Sequence, residues 1–207
     1  MILDSYLFAF ERNSNDIHSQ VFNTLKDSKI IDFTNKAIDK KPILLFATAQ
    51  QIICRTNAHV VGISTKESRL EVELDDHLKG ILTIPMDLPR MVMNMEQVAE
   101  YIKEHNKKPK YNQTHKYYRM NEEQAKEYAL NQLNKAGLEV LEDLRLIDVG
   151  KRQVSGTKKV IKAMDVGFRA KITDLDKLKF AWFHGVCRNK TYGFGMIRAI
   201  KVAKDES

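Results

Sequence analysis

The segment DLDKLKFAWFHGVCRNKTYGFGMIRAIKV, Asp174 to Val202, decides how this chain is read. Asp174 is a helix N-cap residue, and Leu175, Leu178 and Trp182 fall on one helical face. Gly185, Gly193 and Gly195, with Arg188 and Lys190 among them, then make a loop, and Met196 to Val202 reads as a strand. Glycine adopts positive φ freely and has no Cβ to hold a ligand away, and successive free N–H groups form an anion-binding concavity. The loop therefore suits a phosphate-rich ligand. A plain glycine-rich turn before a last strand is the competing reading. The glycines lie between a helix and a strand, so they form neither the G-x-x-x-x-G-K-[ST] loop nor a G-x-G-x-x-G at a first strand–helix turn.

Upstream of this segment the same logic continues. Asn121-Glu-Glu-Gln124 is a capping box that opens a helix carrying Ala125, Ala129, Leu133 and Ala136, and Gly137 stops it. Leu138–Val149 and Lys158–Thr173 read as strands around a basic turn at Lys151–Thr157. With one earlier strand, the order is βαββαβ. The first half begins the same way. Ile2–Phe10 is a strand, and Ser14 or Asn15 caps a helix with Ile17, Val21 and Leu25 at i, i+4, i+8. Pro42–Ala47, Arg69–Leu74 and Gly80–Pro85 are further strands. The fold class is α+β, with two tandem βαββαβ units on antiparallel sheets and no detectable internal repeat. The expected division is residues 1–100, a linker at 101–119, and 120–207.

At 207 residues and 43% hydrophobic content the chain can bury a substantial core. Its net charge of +7 favours a polyanionic partner. The cations are clustered: Lys151, Arg152, Lys158, Lys159 and Lys162 occur with no acid among them, and 103–119 carries six cations against Glu104 alone. Glu71, Glu73, Asp75 and Asp76 form an acidic edge elsewhere. Cys54 and Cys187 are the only cysteines, at no paired spacing, so neither a zinc site nor a disulfide framework is expected. No metal and no cofactor is expected. No signal peptide or apolar span is read, so the expected location is cytoplasmic, with no membrane partner.

Six histidines occur, none paired with another at metal-ligand spacing. His77 and His115 lie in polar surroundings. His18 sits one position beyond Ile17, on a helical face shared with Phe22 and Leu25. A lone histidine there is more often a core-boundary residue than a reactive one. The alternative is chemical. Metal-free RNA cleavage needs a proton taken from the 2′-hydroxyl, a proton given to the leaving 5′-oxygen, and a stabilised phosphorane. An imidazole can perform one of the transfers near neutral pH. Lys190 and the glycine-loop amides can stabilise the phosphorane. Tyr6, Tyr192 and Phe194 are candidates to stack on an unpaired base, and equally candidates for the core.

The run Gly185–Ile197 resembles the C-terminal glycine-rich loop of the CRISPR repeat-processing proteins, within the RAMP superfamily and the CasE family of type I-E Cascade. Lys190, Gly193 and Gly195 fall in register with the loop G-[IV]-G-x-x-K-x-x-G-x-G-L-L. Asp16-Ile17-His18 matches that family's first-helix histidine, and Lys151–Lys162 its basic β-hairpin. Two positions depart: Asn15 stands where many members have tyrosine, and Cys187 replaces a loop glycine. The resemblance implies two tandem ferredoxin-like domains. It also implies metal-independent endoribonuclease (hydrolase, nuclease) activity in antiviral defense, cutting CRISPR precursor RNA 3′ of the repeat stem-loop and leaving a 2′,3′-cyclic phosphate. The protein then stays on the guide RNA beside the other Cascade subunits. The implied catalytic residues are His18 and Lys190. Lys151, Arg152, Lys158, Lys159, Lys162, Arg188, Lys190, Gly193 and Gly195 would bind RNA, chiefly through phosphates, because side chains cannot read the A-form major groove.

Two other readings compete. A non-catalytic RNA-binding structural subunit of a ribonucleoprotein would keep the basic hairpin and glycine loop without depending on His18. A small nucleotide-binding enzyme would hold a mononucleotide in the loop, against which the helix–loop–strand order counts.

Overall fold

The computed structural model describes residues 1–14, 16–27, 43–48, 50–56, 63–153, 160–188 and 193–203. The first part of the chain runs β1 (Ile2–Glu11), α1 (Ile17–Asp27), β2 (Leu44–Ala47), β3 (Gln51–Thr56), β4 (Lys66–Glu71). Then come β5 (His77–Pro85), β6 (Asp87–Met91), α2 (Met95–His105), α3 (Tyr111–Thr114) and β7 (His115–Arg119). The last part is α4 (Glu122–Lys135), β8 (Leu138–Val140), β9 (Arg145–Gln153), β10 (Val160–Ile172), α5 (Leu175–His184) and β11 (Ile197–Val202).

Two antiparallel sheets carry the fold. The first has the order β2-β3-β1-β4. The second has the order β11-β5-β10-β8, with β9 pairing the other half of the long β10. In each, the spatial order of the unit's strands is fourth, first, third, second, which is the ferredoxin-like arrangement. Ile17, Val21 and Leu25 of α1 bury against Phe8, Leu45, Ala47, Ile52 and Cys54 on one face of the first sheet. Ala125, Ala129 and Leu133 of α4 and Leu178, Ala181 and Trp182 of α5 bury with Leu78, Leu82, Val166, Phe168 and Ala170 of the second.

Local sequence signals set several boundaries as expected. Asn121 accepts from the Gln124 N–H at 2.9 Å while Gln124 accepts from the Asn121 N–H at 3.1 Å, closing the capping box. Gly137 takes a φ of 74°. Asp174 accepts from the Lys177 N–H at 2.9 Å. The cap of α1 differs: Asp16, rather than Ser14 or Asn15, accepts from the Ser19 N–H at 3.0 Å.

Other readings need correction. β5, expected in the first unit, pairs with β10 and β11. The stretch 101–119, expected as a linker, carries the end of α2, then α3, then β7, which pairs with β6 as a separate two-stranded ribbon. The strand expected at Leu138–Val149 is two strands, β8 and β9. The strand at Arg69–Leu74 lies earlier, at Lys66–Glu71, because Leu70 registers with Leu3 of β1, and Leu74 is exposed. β3 carried no clear pattern and was not expected. Among the described residues no helix is long and apolar enough to cross a membrane.

The free face of the first sheet meets the second unit. Leu44, Phe46 and Met196 bury together there, with Leu7 and Ile53 against them. Arg55 is buried in this seam, its Nη1 donating to the Ile197 carbonyl at 2.7 Å and its guanidinium 3.9 Å above the Trp182 ring. Burial, and then Arg198, push Arg55 down to about 9, so it remains charged at neutral pH. Arg198 lies 3.4 Å over Phe46 and pairs with the buried Asp165 at 3.2 Å. Thr83 donates to the same carboxylate at 2.5 Å.

Candidate functional site

The connection from β1 into α1 is tightly tied, and it positions His18. The Gln20 amide donates to the Glu11 carbonyl at 2.6 Å and accepts from the Asn13 N–H at 3.0 Å. Ser14 Oγ accepts from the Asp16 N–H at 3.0 Å. Ile17 is fully buried, which holds the next residue, His18, half-buried at the rim of the helix. Its ring lies 4.4 Å from that of Phe22, one turn on. Tyr6 lies on the same side of β1 as Phe8 and Phe10, the side that α1 covers.

The glycine loop is closed at its neck. The Gly185 N–H donates to Ala181 O at 2.8 Å, the Val186 N–H to Gly195 O at 3.0 Å, and the Gly195 N–H to Thr83 O at 2.8 Å. A Cβ on Gly195 would lie 2.6 Å from the Cys187 nitrogen, so only glycine fits the neck. Gly193 has φ 87°, and a Cβ there would lie 2.6 Å from Ile17 Cδ1 and 3.7 Å from the Leu45 oxygen. Gly193 is thus pressed against the first residue of α1 and the edge strand β2. Phe194 and Met196 are buried in the core, which removes Phe194 from the stacking candidates. Arg188 is exposed. Lys190 and Tyr192 lie outside the described residues.

The basic hairpin reaches the same place. Arg152, expected on the surface against RNA, is instead almost wholly buried. Its Nη2 donates to Ala47 O at 2.8 Å and its Nη1 to Lys151 O at 3.2 Å. Burial, and then Arg12, push its guanidinium down to about 10. Lys151 is exposed and registers directly opposite Lys162. Lys162 lies 2.8 Å from Asp148, and this bond, then one from the Gly150 N–H, holds the Asp148 carboxyl below its usual range. Lys158 and Lys159 lie outside the described residues.

Three distant parts of the chain therefore converge on the end of β2: the start of α1, the glycine loop, and the base of the β9–β10 hairpin. Arg12 belongs to this group and was missed. It donates to Thr48 O at 2.8 Å and Ser14 O at 3.2 Å, tying the β1–α1 connection to the chain just after β2. A single cation after a strand gave no signal in the sequence. The arrangement offers an imidazole at the rim of α1, Gly193 of the glycine loop against the preceding Ile17, and a basic hairpin whose base is tied by Arg152 to the end of β2. Such a set can exchange a proton and hold phosphate.

A protein-family model described as CRISPR associated protein matches residues 81–199, more than half of the chain. The chain belongs to this family. Compared with curated protein sequences, it matches none. Solved structures resemble it in fold. A structure of CRISPR endoribonuclease Cse3 bound to 19 nt RNA has a TM-score of 0.69 at 10% identity, covering 95% of this chain and 98% of the other. The CRISPR-associated protein Cas6e from Escherichia coli str. K-12 has a TM-score of 0.62 at 16% identity, covering 98% and 100%. A chain of a CRISPR RNA-guided surveillance complex has a TM-score of 0.51 at 15% identity, covering 95% and 100%. At these identities the likeness concerns the fold, and it extends over both ferredoxin-like units.

Proposed function

We propose that this chain is a metal-independent endoribonuclease that cuts CRISPR precursor RNA 3′ of the repeat stem-loop and keeps the hairpin as a subunit of a cytoplasmic Cascade complex. The observation that carries this reading is the contact of Gly193 with Ile17, which sets the phosphate-suited loop against the turn that bears His18. Family membership and the likeness to Cse3, Cas6e and surveillance-complex structures support the RNA as substrate.

In this mechanism the 2′-oxygen attacks the adjacent phosphorus as its proton departs. The P–O5′ bond breaks, the 5′-oxygen gains a proton, and a 2′,3′-cyclic phosphate remains. His18 performs one of the two proton transfers, and Lys190 with loop amides neutralises the phosphorane. Lys151, Lys158, Lys159, Lys162 and Arg188 hold the RNA backbone, while Gly193 and Gly195 shape the loop. Arg152 leaves the gripping set and acts as an internal tie, given its bond to Ala47. The pairing of β5 with β10 and β11 further favours a unit boundary between β4 and β5 over one near residue 100.

The test is incubation of wild type and His18→Ala with a labelled repeat hairpin in excess EDTA. A single cut ending in a cyclic phosphate, made by wild type alone, is expected. Tight binding by both proteins with no cut by either makes the chain a hairpin-holding structural subunit and ends the catalytic reading.

A further inference from the structure

The ribbon of β6 and β7 stands apart from both sheets, and its registers are Leu88↔Tyr118 and Arg90↔Lys116. Opposed residues and alternate residues share a face, so Leu88, Arg90, Lys116 and Tyr118 lie on one side. Leu88 packs against the main core and anchors the root. Arg90 and Lys116 are exposed, and Tyr118 is 42% exposed. Like charges placed directly opposite on a ribbon destabilise it, and neither cation has an ion pair among the described residues. Folding gives no reason for this pair.

The other face explains how the ribbon is held. Arg119 forms two bonds to Asp87, at 2.9 and 3.1 Å, and Asp87 also accepts from the Lys162 N–H at 2.9 Å. The ribbon is thereby fastened to β10 at Lys162, whose cross-strand neighbour is Lys151. Two opposed cation pairs, Lys151↔Lys162 and Arg90↔Lys116, thus lie on adjoining structures.

We propose that the Arg90–Lys116–Tyr118 face is a second RNA site that takes a single-stranded segment flanking the repeat stem. The two cations contact successive phosphates, and Tyr118 stacks on an unpaired base. An exposed aromatic beside cations fits a single strand, because bases stacked within a duplex cannot reach it. This inference rests on the RNA-processing reading above.

The test compares binding of three RNAs: a blunt repeat hairpin, the same hairpin with a 5′ single-stranded extension, and one with a 3′ extension. The proteins carry His18→Ala, so that no RNA is consumed, with Tyr118→Ala or Arg90→Ala/Lys116→Ala added. One extended RNA should bind more tightly than the blunt one. Tyr118→Ala should reduce that advantage by at least about fivefold. The double variant should lower the salt slope for extended RNA by about 1.4, from about 0.7 per phosphate contact on a single strand. Blunt-hairpin affinity should stay within about twofold, and melting of the double variant should be unchanged or higher, since a repulsion is removed. Equal binding of blunt and extended RNAs by the parent, or an advantage that survives all the substitutions, overturns the site and leaves the RNA-processing reading standing. Failure to bind even the blunt hairpin overturns that reading, and this inference with it.

Discussion

Arg152→Met separates two roles for one cation. In the fold its guanidinium is sealed inside the base of the β9–β10 hairpin and holds the Ala47 carbonyl at 2.8 Å. Methionine keeps much of the apolar stem and removes the donor. The Ala47 oxygen is then left without its bond, at a cost of about 1–3 kcal/mol for a buried acceptor. Release of the desolvation and of the Arg12 repulsion that push Arg152 down to about 10 offsets part of this. A net loss of about 2 kcal/mol lowers the melting temperature by about 4–8 °C in a chain of this size. Thermal melting and the salt dependence of hairpin binding, measured on the same preparation, read both effects. The expected result is a lower melting temperature with an unchanged salt slope. If melting is unaffected and the slope falls by about 0.7–0.9, one phosphate contact has been lost. Arg152 would then reach the RNA, and the reasoning from its burial would be wrong.

Gly193→Val introduces a Cβ that would lie 2.6 Å from Ile17 Cδ1 at a φ of 87°. Strain of about 1–3 kcal/mol from the backbone, with overpacking added, should lift the loop from α1. Cleavage should fall far more than hairpin affinity, and a variant that cuts at the wild-type rate would sink the proposed site. Asp165→Ala removes a buried carboxylate and leaves the half-buried Arg198 in the seam without its partner. The expected destabilisation is about 3–5 kcal/mol, measured by denaturant unfolding, and a change within about 0.5 kcal/mol would mean that the seam solvates Arg198.

What the sequence made legible was local. The Asn121–Gln124 box, the Asp174 cap, Gly137 and the Ile17–Val21–Leu25 face are settled within a few residues of chain, and each stands in the structure where its pattern put it. What escaped depends on pairing at a distance. Nothing in His77–Pro85 states that its partners lie at β10 and β11, and the polar ribbon at His115–Arg119 lacks an apolar alternation to mark it as a strand. Arg152 shows the same limit at the site. Its charge is evident in the sequence, but its burial follows from where Ala47 ends β2. His18 and the glycine loop could be joined in one catalytic set from the sequence, but the contact that brings their elements together, Gly193 against Ile17, left no signal in it.

The seam between the units also sets a clock. Arg55 bonds to Ile197 across 142 residues, and Arg152 to Ala47 across 105. β5 cannot gain its outer neighbour until β11, far downstream in the chain, has been synthesised. At about 5–20 residues per second, roughly 10–30 s pass between the emergence of α1 and that of the loop which must rest on it. A nascent chain that has not reached Gly193 therefore carries His18 without the loop glycine that packs beside Ile17. The close approach of Gly193 to Ile17 forms only after Gly193 has been made, so a chain stalled before it lacks the proposed site.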